Sequence, residues 1–430
     1  MNDTHQAIRH EIEGGCCSEY ASTRRGFLRN LTAAAGATAG ATMFGSAFLQ
    51  TTFSSPAEAA TGGNVLVVLS LRGGADMLSL VVPHGDDGYY RARPNLAVPR
   101  PSLLCRDDKF GLHPALAPLT GMWERRQLAA VTAVGLPVPN RSHFDAMERV
   151  EDANPGDRER TGWLNRMIGL DGVASPTQGT HVGSGMVPTS LYGREAALAT
   201  ASIDQISLAG PSGAARAEAL RQVWSGTGGD LGRSARSALD TARRFKGVAG
   251  TGYRPANGAG YPDGDLGDAL KESARLVKAG LGVKAITVDY GSWDMHANLG
   301  QVGSANPTSM HEMAAGLAHG LNAFFTDLGA ATSRVTLVTL TEFGRRVAEN
   351  GSRGLDHGWG NAMLVMGGGV RGGRYYGSWP GLGSAALNDG DLAVTTDYRS
   401  VLAEVLRKRF NASIATVFPG FQPETVDVMS

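Results

Sequence analysis

The sequence predicts an α/β fold with a mostly parallel central sheet and helices on both faces. Three observations carry that expectation. Short apolar or β-branched runs alternate with amphipathic helical stretches, the pattern of βαβ units. The runs are apolar throughout rather than alternating, as in strands covered on both faces. Polar residues gather just past the ends of these runs, at the edge where open α/β sheets place their chemistry.

The first strand is Asn64 to Leu71, and Arg72-Gly73-Gly74-Ala75-Asp76 follows it. The glycines permit a sharp turn, so Asp76 reaches the carboxyl edge either as a site carboxylate or as the cap of a following helix. His113-Pro114 opens an amphipathic helix through about Gln127, with Pro114 in the first turn and His113 as a cap or packing residue. Leu128 to Val134 is the second strand, and Pro137 to Asp145 leads into a helix running past Val150. Ser142 stands where that helix begins, among amides that attract anions. Its hydroxyl is either a nucleophile or an ordinary N-cap.

Short strands are expected near His181-Val182 and over Ile203 to Leu208, and Ala214 to Phe245 reads as helix. Gly247 to Asp265 is rich in Gly and Pro, a mobile lid or a tether. Residues 209–265 therefore form a helical and Gly-rich insertion. Leu266 to Leu281 is helical, with Leu266, Leu270, Val277 and Leu281 on one face. The strand Val283 to Val288 precedes Gly291-Ser292-Trp293-Asp294-Met295-His296. Two residues apart on an extended chain, Asp294 and His296 point the same way and can reach one metal ion. The bland alternative is a surface loop with an Asp-His hydrogen bond. Met310 to Leu328 is a long helix with an apolar core stripe. The strand Val335 to Leu340 ends at Glu342, Phe343, Gly344 and Arg345; a polar loop then leads to Asp356-His357 and a further strand, Ala362 to Met366. Asp397 to Arg409 is the last clear helix.

The chain has 430 residues, of which 42% are hydrophobic, ample for a large core. Its formal net charge of zero argues against nucleic acid or an anionic membrane as partner. Residues 1–60 are expected to lie outside the fold. Arg24-Arg25 precedes a mildly apolar run from Leu31 to Leu49, and Ala57-Glu58-Ala59 supplies a small-x-small cleavage site. This reads as a twin-arginine export signal, removed on export. The translocase of that route is a transient partner, and the mature chain, residues 61–430, is one domain in the periplasm, cell envelope or extracellular space. Cys16 and Cys17 leave with the signal, so Cys105 remains alone and no intrachain disulfide forms. No later segment spans a membrane.

The placement of polar groups points to one shared site. Asp76, Ser142 with His143, Asp294 with His296, and Glu342 each follow a separate strand, and Asp356-His357 comes from a nearby loop. Carboxylates and imidazoles around a hydroxyl suit one or two divalent ions: Zn, Mn or another first-row ion, or Ca or Mg where carboxylates dominate.

The segments LRGGAD, VVPHGDDGYYRARPNLAVP, LHPALAPL, RSHFDA, TGWLNR, GSWDMH, TEFGRRVAENGSRGLDHG and GGGVRGGRYYGSWP span nearly all of the mature chain. In them the chain resembles the domain of unknown function 1501 family, placed in the alkaline phosphatase and sulfatase superfamily. The resemblance implies an alkaline phosphatase-like fold. It implies that Asp76 is the first metal-binding Asp and Ser142 the nucleophile. Asp294 and His296 would then be the third element, Glu342 the carboxylate of the fourth, and His357 the final ligand. Two positions depart from the superfamily pattern. The Asp294-x-His296 spacer is one residue, and Phe343 stands where the fourth element has a His, so His143 or Asp356 would have to fill in.

The expected function is an exported metal-dependent hydrolase of phosphate or sulfate esters, acting on a small-molecule or polymer-borne anionic ester. Ser142 attacks, His143 shuttles a proton or ligates, and Arg345, ahead of Arg141 or Arg72, grips the anion. The rival expectation is a catalytically lapsed scaffold that binds a partner protein or an envelope polymer.

Overall fold

A computed structural model describes residues 41–44, 47–50, 62–154, 160–173, 175–183, 186–206 and 213–430. Its central strands are β1 (Val65–Leu71), β2 (Leu128–Gly135), β3 (Gly179–Val182), β4 (Ala197–Thr200), β5 (Ala285–Tyr290), β6 (Val335–Leu340), β7 (Asn361–Gly367) and β8 (Tyr375–Tyr376). They lie in the order β4-β3-β5-β1-β6-β7-β2-β8. From β4 to β6 every neighbouring pair is parallel. Among these strands only β7 runs against its neighbours, β6 and β2. The sheet is thus mostly parallel, as expected, and the carboxyl ends of β1, β2, β5 and β6 share one edge with the amino end of β7.

The apolar strands are explained by two cores. Val65, Val67 and Leu69 of β1 face a cluster that includes Leu270 and Val277 of one helix and Leu317, Leu321 and Phe324 of another. The alternate residues Leu66 and Val68 face a second cluster, with Met147, Trp163, Val401 and Leu406, on the other side. Because successive strand side chains point to opposite faces, burial on both sides demands an unbroken apolar run. Every residue of β1 and β6 is buried accordingly.

The principal helices are α1 (Met77–Leu80), α2 (His143–Asp152), α3 (Gly213–Ser225), α4 (Gly229–Phe245), α5 (Asp265–Ala279), α6 (Met310–Leu328) and α7 (Tyr398–Phe410). Several expectations change in detail. The stretch after His113 is a 3-10 helix, Pro114–Leu119, before a short α-helix, Thr120–Glu124; His113 does cap it, its Nδ1 accepting from the Ala115 N–H at 3.0 Å. Pro118 lies inside that segment and removes a helix donor. The run from Ala214 to Phe245 is two helices, broken where Gly226-Thr227-Gly228 cannot sustain one. The strand expected over Ile203 to Leu208 is instead β4, with Ile203–Gln205 a 3-10 turn and residues 207 and 208 outside the described residues. Within the segment read as an export signal, Ala47–Gln50 pairs antiparallel with β4; the Arg24-Arg25 and Ala57-Glu58-Ala59 motifs lie outside the described residues.

The Gly-rich segment is strapped down. Asp327, fully buried near the end of α6, accepts from the Ala256 N–H at 2.7 Å and from the hydroxyls of Tyr253 at 2.8 Å and Tyr261 at 2.9 Å, and pairs with Lys278. Since β6 begins shortly after α6 ends, this anchor lies at the amino edge of the parallel strands. The segment is a tether at the far edge, not a lid over the carboxyl ends.

Candidate metal centre

Four side chains from three loops converge beyond the carboxyl edge. His143 opens α2 after β2; Asp294 and His296 follow β5; His357 lies just before β7. The ligand atoms of His143, Asp294 and His357 lie within 4.8 Å of one another. His357 Nε2 is 2.9 Å from His143 Nε2 and 2.9 Å from His296 Nε2. Asp294 Oδ1 is 3.0 Å from His296 Nε2, 3.3 Å from His357 Nε2 and 3.5 Å from His143 Nε2. Met295 is buried between its two polar neighbours, and the chain turns tightly at Asp294, the Met295 N–H donating to the Trp293 carbonyl at 2.9 Å, rather than running extended as expected.

Each imidazole is oriented from behind. His143 Nδ1 is 2.7 Å from Glu342 Oε1, His296 Nδ1 is 3.1 Å from Asp356 Oδ1, and His357 Nδ1 is 2.9 Å from the Arg141 carbonyl. An oxygen that only accepts requires a proton on each Nδ1. All three Nε2 lone pairs therefore face the cluster. Two lone pairs at 2.9 Å repel unless a proton or a cation lies between them. Nitrogens held about 2.0–2.1 Å from one ion would sit roughly 2.9–3.4 Å apart for bond angles between a right angle and the tetrahedral value. The donor set fits a divalent metal.

The electrostatics agree. Burial opposes charge on His143, but Asp294 and Glu342 outweigh it and raise its pKa to about 9, so without a cation a proton takes that place. Burial also works against ionising Asp294, yet the surrounding histidines and Arg345 hold it far below the ordinary carboxylate range. Burial opposes the Glu342 charge in the same way, and the bond to His143 outweighs it, so this carboxyl too is depressed.

Ser142 is the N-cap residue of α2 by backbone, but its side chain makes no capping bond; its N–H donates to Asn140 Oδ1 at 3.0 Å. The residue is exposed, between Arg141, whose carbonyl holds His357, and His143. The capping alternative for its hydroxyl therefore fails.

Other expected site residues are corrected. Asp76 does not reach the cluster. It is buried, caps α1 by accepting from the Ser79 N–H at 3.1 Å, and gives both oxygens to Arg93 at 2.5 and 3.0 Å. Glu342 and Asp356 stand behind histidines rather than beside them as ligands. Both Glu342 oxygens are engaged, one by His143 and the Gly73 N–H at 2.8 Å, the other by the Thr341 hydroxyl at 3.0 Å. Asp356 Oδ1 also accepts from Asn350 Nδ2 at 2.9 Å. The Arg345 guanidinium, expected to grip the anion, is buried and engaged within the protein. It donates to the carbonyls of Gly73, Gly74, Leu355 and Trp293 and to Asp294 Oδ1 at 2.6 Å. Arg72 is equally committed, to Glu151 at 2.6 Å and Asp289 at 2.8 Å.

Two local features let the loops meet. Gly73 has φ +107°, and a Cβ there would lie 2.8 Å from the Asp294 nitrogen, so only glycine lets the loop after β1 touch the loop after β5. Phe343 is buried with its ring 4.7 Å from that of His143 and 4.8 Å from that of His357. It walls the imidazoles instead of ligating. Sequence reading misses Arg93 and Asn350; neither stands at a spacing that marks it as a partner.

The model of the family described as "Protein of unknown function (DUF1501)" matches residues 109–406. The chain belongs to the DUF1501 family. All four converging side chains of this DUF1501 protein lie inside the matched span, and Asp76 lies before it. A comparison with curated proteins returned no match. Among solved structures, the chain is similar to the C-terminal periplasmic domain of EcEptC from Escherichia coli in complex with Zn, at 10% identity over 73% of this chain and 77% of that one, TM-score 0.33. It is similar to the PsFucS1 sulfatase from Pseudoalteromonas sp. at 11% identity, 84% and 71% coverage and TM-score 0.33. It is also similar to a protein in the alkaline phosphatase superfamily from Vibrio parahaemolyticus at 11% identity, 75% and 64% coverage and TM-score 0.30. Among the described residues, no helix is long and apolar enough to cross a membrane.

Proposed function

We propose that this chain is an exported, metal-dependent hydrolase of phosphate or sulfate esters. One observation carries the reading: inward-facing imidazole lone pairs and one carboxylate oxygen meet, and an exposed serine that opens a helix directly precedes one of those imidazoles in the chain. His143, Asp294 and His357 would hold the ion, with His296 as a further donor. An imidazole-rich set suits Zn or another first-row divalent ion better than Ca or Mg. One ion is proposed rather than two, because Asp76, Glu342 and Asp356 are engaged elsewhere.

A divalent ion bound there would supply positive charge that favours an ionised hydroxyl and a developing oxyanion. The chain's own residues do the rest. Ser142 is the nucleophile, presented by the first turn of α2, whose amides favour anions. Glu342, Asp356 and the Arg141 carbonyl hold the three imidazoles in the ligating tautomer, the role outer carboxylates play around bound metals. The substrate is a small-molecule or polymer-borne anionic ester. Export by the twin-arginine route suits such a protein, since that route carries folded passengers.

The rival reading, a lapsed scaffold for a partner protein or an envelope polymer, draws on one observation: Arg72 and Arg345 are both consumed by internal partners.

The test is bound metal per chain on protein isolated after export without chelator, beside an Asp294→Ala/His357→Ala variant. About one ion in the wild type, lost in the variant, is expected, followed by ester turnover that Ser142→Ala abolishes while retaining the ion. No ion in either protein, both being folded, would sink the metallohydrolase. Undiminished turnover in Ser142→Ala would remove the serine from the mechanism.

A further inference from the structure

With Arg345 and Arg72 committed, the proposed site needs another group to recognise an anion. Two arginines in the loops that carry Ser142 and Asp356-His357 are bound in a different manner. Arg141 directly precedes Ser142, and its carbonyl holds His357. The Arg346 N–H donates to the Asp356 carbonyl at 2.9 Å, so its backbone is also fixed to the metal loop. Their side chains are about one-third exposed, Arg141 at 36% and Arg346 at 33%, and both reach the same carboxylate, Asp389. Arg141 Nη2 is 3.1 Å from Asp389 Oδ2, and Arg346 Nη2 is 3.4 Å from that oxygen. Arg346 Nη1 also donates to the Asp389 carbonyl.

The two aspartates at this point differ. Asp391 is buried, receives Arg141 Nη2 at 2.6 Å and Nε at 3.2 Å, and fixes that guanidinium in place. Asp389 is 74% exposed and sits at the tip of a hairpin in which Leu387 pairs with Leu392 and Asn388 with Asp391. Asp389 and Gly390 both have positive φ, 50° and 82°, as a two-residue type I′ turn requires. Ion pairs made by an exposed carboxylate are weak, so the Asp389 side chain can leave while the hairpin stays anchored through buried Leu392 and the Val347 N–H on the Gly390 carbonyl at 3.3 Å.

We propose that Arg141 and Arg346 form the anion subsite of this centre, and that Asp389 occupies it as an internal carboxylate which the substrate's phosphate or sulfate group displaces. The inference rests on the hydrolase reading for the identity of the anion, but the subsite is testable without turnover. Asp391 keeps Arg141 aimed while Asp389 leaves. The subsite thus favours a strongly anionic ester, since a neutral one gains nothing by displacing a carboxylate from two guanidinium groups.

The experiment is calorimetric binding of inorganic phosphate and of sulfate to the full chain as isolated, compared with Asp389→Asn and Arg346→Ala. Asn-Gly is itself a favoured type I′ pair, so Asp389→Asn keeps the turn. Removing the competing charge is expected to tighten phosphate about tenfold, and Arg346→Ala to weaken it about tenfold, in each case the worth of one charge-assisted hydrogen bond. Arg346→Lys should restore only part of the loss, because Lys cannot form the planar fork. Unchanged affinity in both Asp389→Asn and Arg346→Ala would overturn the proposal. If Asp389→Asn tightens phosphate while no ester in a broad panel is hydrolysed, the subsite stands and the hydrolase reading falls. Turnover by the wild type, with phosphate affinity indifferent to Asp389 and Arg346, would leave the hydrolase standing and remove the subsite.

Discussion

Replacing Asp76 by Ala separates a structural carboxylate from a metal ligand. Asp76 is 2% exposed and Arg93 fully buried, with the guanidinium also donating to the carbonyls of Val347 at 2.9 Å and Arg346 at 3.1 Å. Ala at 76 strands a buried cation and removes the cap of α1. Breaking a buried pair of this geometry costs about 3–5 kcal/mol, and the lost cap overlaps with that sum. Against a typical domain stability of about 5–15 kcal/mol, the variant should fold marginally. The assay is urea unfolding, read as a lowered midpoint at constant slope, with metal content measured on the folded fraction. The ion should be retained at wild-type stoichiometry per folded chain. Arg93→Met should destabilise comparably, and the double variant Asp76→Leu/Arg93→Met should recover most of the loss, because well-packed apolar pairs often replace buried ion pairs at little cost. Loss of the ion with a stability change below about 1 kcal/mol would refute the reasoning and return Asp76 to the ligand set.

Glu342→Gln keeps the side-chain volume but removes the charge that pins the His143 Nδ1 proton; metal affinity should fall about 10- to 100-fold by competitive chelation, and an unchanged value would deny Glu342 an orienting role. His113, buried beside His311, has its pKa pushed down to about 3 by burial first and by that neighbour second. Its neutral form is favoured by folding, so the contribution is fully present above about 6.5 and is lost as pH falls from there towards 3, at about 1.4 kcal/mol per pH unit. His113→Asn should flatten the stability–pH curve by about that slope in that window, and an identical curve would show that His113 does not titrate as argued. Asp327→Ala should cost about 1–3 kcal/mol, because it strands the Tyr253, Ala256 and Tyr261 donors, and should open residues 247–265 to proteolysis. Its metal content should stay at the wild-type level, because the anchor lies at the opposite sheet edge; protection from protease equal to wild type would contradict the strap.

The strands and the Asp294/His296 pair are legible in the sequence because their signals are local. A close Asp-x-His spacing and a doubly buried strand each leave a mark within a few residues. What is not legible depends on partners distant in sequence. Asp76 reads as a ligand because it follows a strand and a Gly-Gly turn, and only the fold reveals Arg93 beside it. Arg345 reads as a free cation at a strand end, yet the carbonyls that saturate it come from the loops after β1 and β5 and from Leu355. The Gly-rich segment is equally open, since lid and tether share a composition; Asp327, far along the chain, decides between them. Sequence alone leaves His143 two roles, shuttle or ligand, and Glu342 behind its Nδ1 favours the ligating one.

One reversed strand makes the centre possible. Had β7 run parallel to β6, its amino end would lie at the edge occupied by Asp327, and Asp356-His357 would be a sheet's length from Asp294. Because β7 is antiparallel, the loop after Glu342 has only to double back before re-entering the sheet at Asn361. That re-entry residue is itself a junction. Asn361 Oδ1 accepts from the Met77 N–H at 3.1 Å, while its Nδ2 donates to the carbonyls of Ala75 and Phe343, both at 3.0 Å. The side chain is buried, so those backbone groups have no water to turn to. A single amide thereby ties the loops after β1 and β6 to the start of β7, and the imidazole carried just ahead of it inherits that position. The site's precision comes from this rigid crossing of strand ends.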